Sequence, residues 1–186
     1  EDRFDPALLK GTKKAVERIS QALKAQETIV IYGDYDVDGI TSTSVMLRCL
    51  RRLGGNVEYY IPDRIEEGYG LNETALAELV AKGVKLVITV DCGISSTHLC
   101  NRFQEPLDLI VTDHHQPPEK LPQALAVINP KQSDCAYPDK NLAGVGVAYT
   151  LCRALWREIK GEDYTDDIEL VALGTVADVV PLLAEN

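Results

Sequence analysis

Apolar and polar positions follow two different periods along the chain. Short apolar runs rich in β-branched residues predict buried strands at 28–34, 57–63, 84–93, 107–115 and 124–130. Apolar residues at helical spacing predict helices at 5–26, 40–55, 72–83, 95–103, 146–161 and 165–180. Strands that alternate with helices favour parallel pairing through right-handed crossovers. The pattern therefore predicts an α/β domain with a doubly wound, mostly parallel sheet flanked by helices.

Composition limits what such a domain can do. The 186 residues carry a formal net charge of -10, which argues against a broad basic face for nucleic acid but is compatible with a metal site rich in carboxylates. Five cysteines without a CxxC pair predict reduced thiols rather than a zinc knuckle or a disulfide framework. No apolar stretch approaches the roughly 20 residues that span a bilayer, and no signal peptide is recognisable. We therefore expect a cytoplasmic protein with no membrane partner.

Acidic residues stand at the carboxyl ends of three predicted strands. They are Asp34, Asp91 and Asp113. In open α/β sheets, ligands bind in the crevice beyond those ends, so these distant carboxylates should meet in one cleft. Two like charges about 4 Å apart repel by roughly 4 kcal/mol at a surface-like dielectric. The sequence therefore predicts a cation between them.

The stretch "DYDVDG" also admits other interpretations. It opens like a calcium-binding loop, but Val45 stands where that loop needs its closing glutamate. "VDGIT" resembles the D-x-D-G-T element of haloacid-dehalogenase phosphatases, with Asp36 as nucleophile and Asp38 as acid. That interpretation leaves His114 and His115 without a role. A solvated loop with capping carboxylates is a third alternative.

A metal site built from the strand-end carboxylates and an imidazole would give a role to both the aspartates and the histidine pair. Mixed oxygen and nitrogen ligands suit Mn²⁺ or Mg²⁺ better than zinc or calcium. Two such ions about 3.5–4 Å apart can hold a phosphate between them.

Four segments in this order resemble the motifs of the DHH phosphoesterase superfamily: "GDYDVDG", "VDCGI", "TDHH" and "ADVVP". The intervening segments are similar to the RecJ branch, the single-strand-specific 5′ to 3′ DNA exonucleases; they read "YYIPDRIEEGYGLN", "INPKQ" and "LAGVGVAY". The resemblance covers the chain from about residue 28 to residue 181.

The resemblance implies two divalent ions, Mn²⁺ or Mg²⁺, and a ligand set for them. Asp36 would bind one ion and Asp38 the other, while Asp91 would bridge both. His114 and Asp178 would complete the sphere of the second ion.

Three further residues would act beside the ions. Asp34 and Asp113 would orient ligands, and His115 would face the scissile phosphate or position a ligand. In the pyrophosphatase branch of the superfamily, a histidine ligand precedes the first paired aspartate by four residues, and here Tyr32 occupies that position. This departure argues against the pyrophosphatase branch and leaves the ligand sphere of the first ion partly open.

The segments between the motifs contain weaker candidates. The amides near Gly144 and Gly146 could approach a phosphate, or the two glycines could allow close helix packing; both interpretations stay open. Residues that could contact a nucleotide, or could be ordinary loop residues, are Arg64, Tyr69, Asn72 and Lys131.

The resemblance implies hydrolysis of single-stranded DNA from the 5′ end with release of 5′-mononucleotides. Because the sequence starts without methionine and stops soon after the last motif, we expect residues 1–186 to be the catalytic DHH domain of a longer chain. The DHH-associated domain and the oligonucleotide-binding barrel of RecJ-type enzymes are absent from it. Implied partners are single-stranded DNA and a single-strand-binding protein or a helicase. Two alternatives stay open: a related phosphoesterase for short oligonucleotides or cyclic dinucleotides, and a non-catalytic DHH scaffold.

Overall fold

Strands and helices alternate in the computed structural model, which describes residues 3–63 and 68–186. The strands are β1 (Thr28–Tyr32), β2 (Asn56–Tyr60), β3 (Leu86–Thr89), β4 (Asp108–Thr112) and β5 (Ala126–Ile128). The α-helices are α1 (Thr12–Ala25), α2 (Val37–Arg52), α3 (Glu73–Ala81), α4 (Thr97–Phe103), α5 (Gly144–Lys160) and α6 (Ile168–Ala177). Each strand and helix predicted from periodicity is present. Among the described residues, no helix combines the length and apolar character needed to cross a membrane.

The five strands form one parallel sheet in the order β2-β1-β3-β4-β5. The chain first moves from β1 to β2 at one edge, then crosses back to β3 on the other side of β1 and continues outward to β5. The strand order therefore reverses between β1 and β3, which is the point where open α/β sheets form their ligand crevice.

Both faces of the sheet are covered by helices. Ile29 and Ile31 of β1 pack with residues of α1, α2 and α5, whereas Val30 and Tyr32 pack with residues of α3 and α4. The α6 helix packs against α2 and α5. Burial on both faces explains the continuous apolar strands, and the prediction of a doubly wound, mostly parallel sheet is confirmed.

The first helix begins later than its periodicity predicts. Pro6–Leu8 forms a short 3₁₀ turn, and Gly11 adopts φ 90° immediately before α1. That left-handed conformation interrupts a continuous helix from residue 5. The predicted cap at Asn72 is present, because its Oδ1 accepts a hydrogen bond from Ala75 N at 2.7 Å.

Leu50 of α2 provides a test of the core. It is 0% exposed, so Leu50→Ala should lower the free energy of unfolding by about 2–5 kcal/mol through lost burial and an added cavity. The matched control is Leu173→Ala on α6, where the side chain is 55% exposed and a change within about 0.5 kcal/mol is expected. Urea unfolding measures both values, and equal losses would contradict the packing described.

Candidate metal centre

Acidic side chains converge at the carboxyl edge of the sheet, beside the reversal of strand order. Asp34 follows β1, Asp91 follows β3 and Asp113 follows β4 directly. Asp38 lies in the first turn of α2, and Asp178 caps the carboxyl end of α6. The charges of Asp38, Asp113 and Asp178 all act on Asp91. The strand-end pattern in the sequence therefore located this edge correctly.

His114 lies close to three of these carboxylates. Its Nε2 is 3.2 Å from Asp91 Oδ1, 3.6 Å from Asp178 Oδ2 and 3.7 Å from Asp38 Oδ2. Within the described part of the chain, the two imidazole nitrogens, Asp91 Oδ1 and Asp178 Oδ2 are buried without a hydrogen-bond partner. Each such atom costs about 1–3 kcal/mol unless something satisfies it. A cation among them would satisfy the cluster, so these residues fit a metal ion.

Asp91 also belongs to a second group of ligands. One carboxylate oxygen from each of Asp34, Asp36 and Asp91 lies within 4.8 Å of the others. Asp36 is exposed, and its Oδ1 accepts a hydrogen bond from Gly39 N at 2.8 Å as the cap of α2. The capping role considered from the sequence is thus present, and it leaves the second oxygen of Asp36 for the group. Two groups that share Asp91 suit two divalent ions with oxygen and nitrogen ligands.

Burial and mutual repulsion shift the titration of these groups. Burial raises the pKa of Asp91, and the charges of Asp38 and Asp36 raise it further. Burial likewise raises the pKa of Asp38, although two backbone amides that bind its charged form oppose this. Burial lowers the pKa of His114, and the charge of His115 acts in the same direction. The imidazole is thereby kept in the neutral form that ligates metals, and a divalent cation would favour the ionised carboxylates.

The amino end of α5 holds Asp38. Its Oδ2 accepts a hydrogen bond from Gly144 N at 2.6 Å, and its Oδ1 accepts one from Val145 N at 2.8 Å. These amides also carry the positive end of the helix dipole. The amides that could have met a phosphate thus bind a carboxylate of the site instead.

Gly144 brings α5 into direct contact with Asp91. A Cβ at position 144 would lie 2.6 Å from Asp91 Oδ1 and 2.7 Å from Asp91 Cβ. Close helix packing, one of the two interpretations of this glycine, is therefore correct. The contact joins segments far apart in sequence, so "LAGVGVAY" alone could not identify the partner.

The turn after β3 gives Asp91 an unusual backbone. Asp91 has φ 58°, a left-handed conformation that non-glycine residues adopt at a cost of about 1–3 kcal/mol. Gly93 follows with φ 105°, and a Cβ there would lie 2.9 Å from Thr89 Oγ1. A tight and strained turn therefore carries the carboxylate that both ligand groups share.

Asp113 orients the second histidine. Its Oδ1 lies 2.7 Å from His115 Nδ1 and accepts hydrogen bonds from the amides of His114 and His115, while its Oδ2 accepts one from Ile94 N at 2.9 Å. Burial alone would raise the pKa of Asp113, but the hydrogen bonds from His115 and these amides hold it below its usual value. The hydrogen bond to Asp113 raises the pKa of His115, whose side chain is 46% exposed. The His115 ring is therefore partly exposed to solvent, held in one orientation, and favoured in its positively charged form.

Tyr69 completes the rim of the site on this side. Its hydroxyl is 3.4 Å from Asp91 O and 3.3 Å from His115 Nδ1, and its ring meets the His115 ring edge-on at 5.9 Å. Arg64, the neighbouring candidate from the sequence, lies outside the described residues. Asn72 serves as the cap of α3.

Asn129 is a supporting residue that the sequence did not mark. Its side chain is 0% exposed, its Nδ2 donates to His115 O at 2.9 Å, and its Oδ1 accepts from Lys131 N at 2.8 Å. Its place directly after β5, in "INPKQ", is the only signal that could have identified it. Asn129 fixes the backbone of His115 and of the neighbouring Lys131.

The contact between Gly144 and Asp91 yields a prediction. Gly144→Ala should displace Asp91 and lower the affinity for Mn²⁺ by about tenfold or more, because ligand positions tolerate little movement. Isothermal titration calorimetry with Mn²⁺ measures this. Gly146→Ala is the matched control on the same helix, since the nearest atoms to its Cβ would be those of the Leu142 side chain, at 3.2 Å and beyond, and none of the metal centre. Equal affinities in the two variants would contradict the described geometry.

Comparisons with known proteins agree with this arrangement. The model of the DHH family, N-terminal domain, matches residues 28–175. The single-stranded-DNA-specific exonuclease RecJ of Bacillus subtilis is 51% identical over 100% of this chain and 23% of its own length. The enzymes of the same name from Dickeya dadantii and Escherichia coli are 48% and 44% identical, over 98% and 96% of this chain. This chain spans 34% and 33% of those two relatives, about a third of their length.

Solved structures give the same result. A crystal structure of exonuclease RecJ bound to manganese has a TM-score of 0.85 and 36% identity, over 94% of this chain and 44% of that one. RecJ of Thermus thermophilus in complex with Mn²⁺ has a TM-score of 0.80 and 34% identity, over 94% of this chain and 25% of that one. The family model, these likenesses and the carboxylate and histidine cluster at the edge of the sheet lead to one conclusion: the chain belongs to the DHH family.

Proposed function

We propose that this chain is the catalytic DHH domain of a RecJ-like, metal-dependent phosphodiesterase. The reaction is 5′ to 3′ hydrolysis of single-stranded DNA with release of 5′-mononucleotides. The observation that carries the proposal is the group of buried, unpaired ligand atoms on His114, Asp91 and Asp178. It occurs in a chain that is 51% identical, over all of its own residues, to a RecJ exonuclease of which it covers 23%.

Two divalent ions, Mn²⁺ or Mg²⁺, are the proposed cofactors. The residues that would hold them are Asp36, Asp38, Asp91, His114 and Asp178, with Asp34 beside them in the second ligand group. When bound, such ions activate water for attack and offset the charge of the phosphodiester. The donor set on the chain, carboxylate oxygens and one neutral imidazole, is what these ions require.

The remaining chemistry falls to side chains that the protein already holds in place. Asp113 fixes the His115 ring through Nδ1, which directs the other ring nitrogen away from Asp113. The raised pKa of His115, caused by its hydrogen bond to Asp113, favours a charged ring that can donate a hydrogen bond to a phosphate oxygen. The leaving 3′-oxygen must take up a proton, and His115 is our candidate donor on this chain.

Affinity for single-stranded DNA depends on features outside the metal centre. Most single-strand affinity comes from a basic groove and aromatic platforms, whereas this chain has a net charge of -10. We therefore infer that the isolated chain binds DNA weakly and cuts it slowly. The DHH-associated domain and oligonucleotide-binding barrel of RecJ-type enzymes would supply the groove. A single-strand-binding protein or a helicase would be a further partner. The five free, buried thiols support a cytoplasmic location, where cysteines stay reduced.

A nuclease assay tests the proposal directly. Single-stranded and duplex DNA, labelled at the 5′ or the 3′ end, are incubated at high protein concentration with Mn²⁺, Mg²⁺ or chelator. We expect metal-dependent release of 5′-mononucleotides from single strands and none with chelator. Cleavage of dinucleotides or cyclic dinucleotides alone would place the chain in another branch of the family. Binding of DNA without any cleavage would favour the scaffold alternative.

Asp91→Ala tests whether metal binding and nuclease activity depend on this one carboxylate. Because Asp91 belongs to the group with Asp34 and Asp36 and also lies 3.2 Å from His114, the variant should lose Mn²⁺ binding and nuclease activity together, by about a hundredfold or more. The matched control is Asp166→Ala, a carboxylate whose side chain is 57% exposed and lies away from the site. Calorimetry with Mn²⁺ and the nuclease assay are both required. Turnover of the Asp91 variant at the wild-type rate would rule out the assignment.

A further inference from the structure

Tyr32 is the last residue of β1. Its side chain is 0% exposed, and its ring lies 5.0 Å from the ring of Tyr60. The hydroxyl donates a hydrogen bond to Gly70 O and accepts one from Asn72 N, both at 3.2 Å. The side chain thus connects β1 to the backbone of the loop at 68–72.

That loop carries Tyr69 to the metal centre. Gly68 and Gly70 flank Tyr69 with φ 77° and 86°. In the part of the chain that the structure describes, and apart from chain neighbours, a Cβ on Gly68 would meet no heavy atom within 4 Å, and one on Gly70 would meet only Ser96 Oγ, at 3.8 Å. Glycines have many accessible conformations, so the backbone beside Tyr69 gains little from its own packing. Its position depends on anchors next to it, among them the Tyr32 hydroxyl.

Tyr69, in this loop, lies next to His115 and Asp91 of the candidate metal centre. The Tyr69 hydroxyl lies 3.3 Å from His115 Nδ1 and 3.4 Å from Asp91 O. A shift of the loop would therefore move Tyr69 away from the histidine that we assign to the phosphodiester. A displacement of about 1 Å next to reacting groups can cost up to about a hundredfold in rate.

We propose that Tyr32 is a positioning residue: through Gly70 and Asn72, its hydroxyl holds Tyr69 against His115 at the mouth of the metal centre. This inference rests on the proposed function for the identity of the reaction. Tyr32 is not a ligand in this assignment.

Tyr32→Phe is the test, because it removes the hydroxyl and keeps the ring in the core. With a short single-stranded oligonucleotide and saturating Mn²⁺, kcat/KM should fall by about tenfold, the equivalent of about 1.4 kcal/mol of transition-state stabilisation. The Kd for Mn²⁺, measured by calorimetry, should stay within about twofold of wild type. Tyr149→Phe is the matched control: that residue is also buried and donates to Tyr164 O at 2.8 Å, far from this loop in the sequence, and its loss should leave kcat/KM unchanged.

A double variant identifies the route of the effect. If Tyr32 acts through Tyr69, adding Tyr32→Phe to Tyr69→Ala should cost little more than Tyr69→Ala alone, because the two changes remove one arrangement. Hydrogen exchange should also quicken over 68–72 in Tyr32→Phe and stay unchanged over α5.

Several outcomes would overturn the inference. They are unchanged kcat/KM in Tyr32→Phe, additive losses in the double variant, or a loss of Mn²⁺ affinity that parallels the loss of rate. If the wild-type chain cleaves no nucleic acid, the proposed function has failed. The anchoring is then judged by hydrogen exchange alone, and unchanged exchange over 68–72 rejects it.

Discussion

Repulsion among carboxylates at one edge of the sheet is the constraint on which this structure depends. Asp34, Asp38, Asp91 and Asp113 are all buried there, at 3%, 1%, 2% and 0% exposure, although isolated buried charges are strongly unfavourable. The protein offsets part of this cost itself, since α5 amides bind Asp38 and His115 binds Asp113. Among the described residues, Asp91 Oδ1 has no hydrogen-bond partner, and this unsatisfied oxygen makes the centre suitable for divalent cations.

The topology explains why the unfavourable cluster can form. Parallel strands bring all their carboxyl ends to one edge, and the reversal of order between β1 and β3 opens a crevice there. The α5 and α6 helices pack on α2 and add the amides and Asp178 from outside the sheet. Core packing on both faces provides the free energy that holds these groups together. The electrostatic cost is thus met by apolar burial elsewhere in the same domain.

Much of this arrangement could be predicted from the sequence, and the remainder depends on tertiary contacts. Period and β-branched runs identified the strands, and the acidic residues after them identified the edge. Which carboxylate meets which amide could not be predicted, because the contact between Asp38 and Gly144 depends on how α5 packs across α2. The late start of α1 and the contact of Tyr32 with the loop at 68–72 follow from backbone geometry that periodicity does not encode. Local patterns thus indicated the edge of the sheet where the acidic residues meet, whereas the positions of the supporting residues required the fold.

The distribution of the candidate ligands along the chain bears on when the metal centre can form. The proposed ligands come from the start of α2, the turn after β3, the end of β4 and the end of α6. Asp178 is the last of them in chain order, so a polypeptide still emerging from the ribosome lacks part of the centre until α6 has been synthesised and packed. The complete set of candidate ligands therefore exists only when the elements from α2 to α6 have packed together.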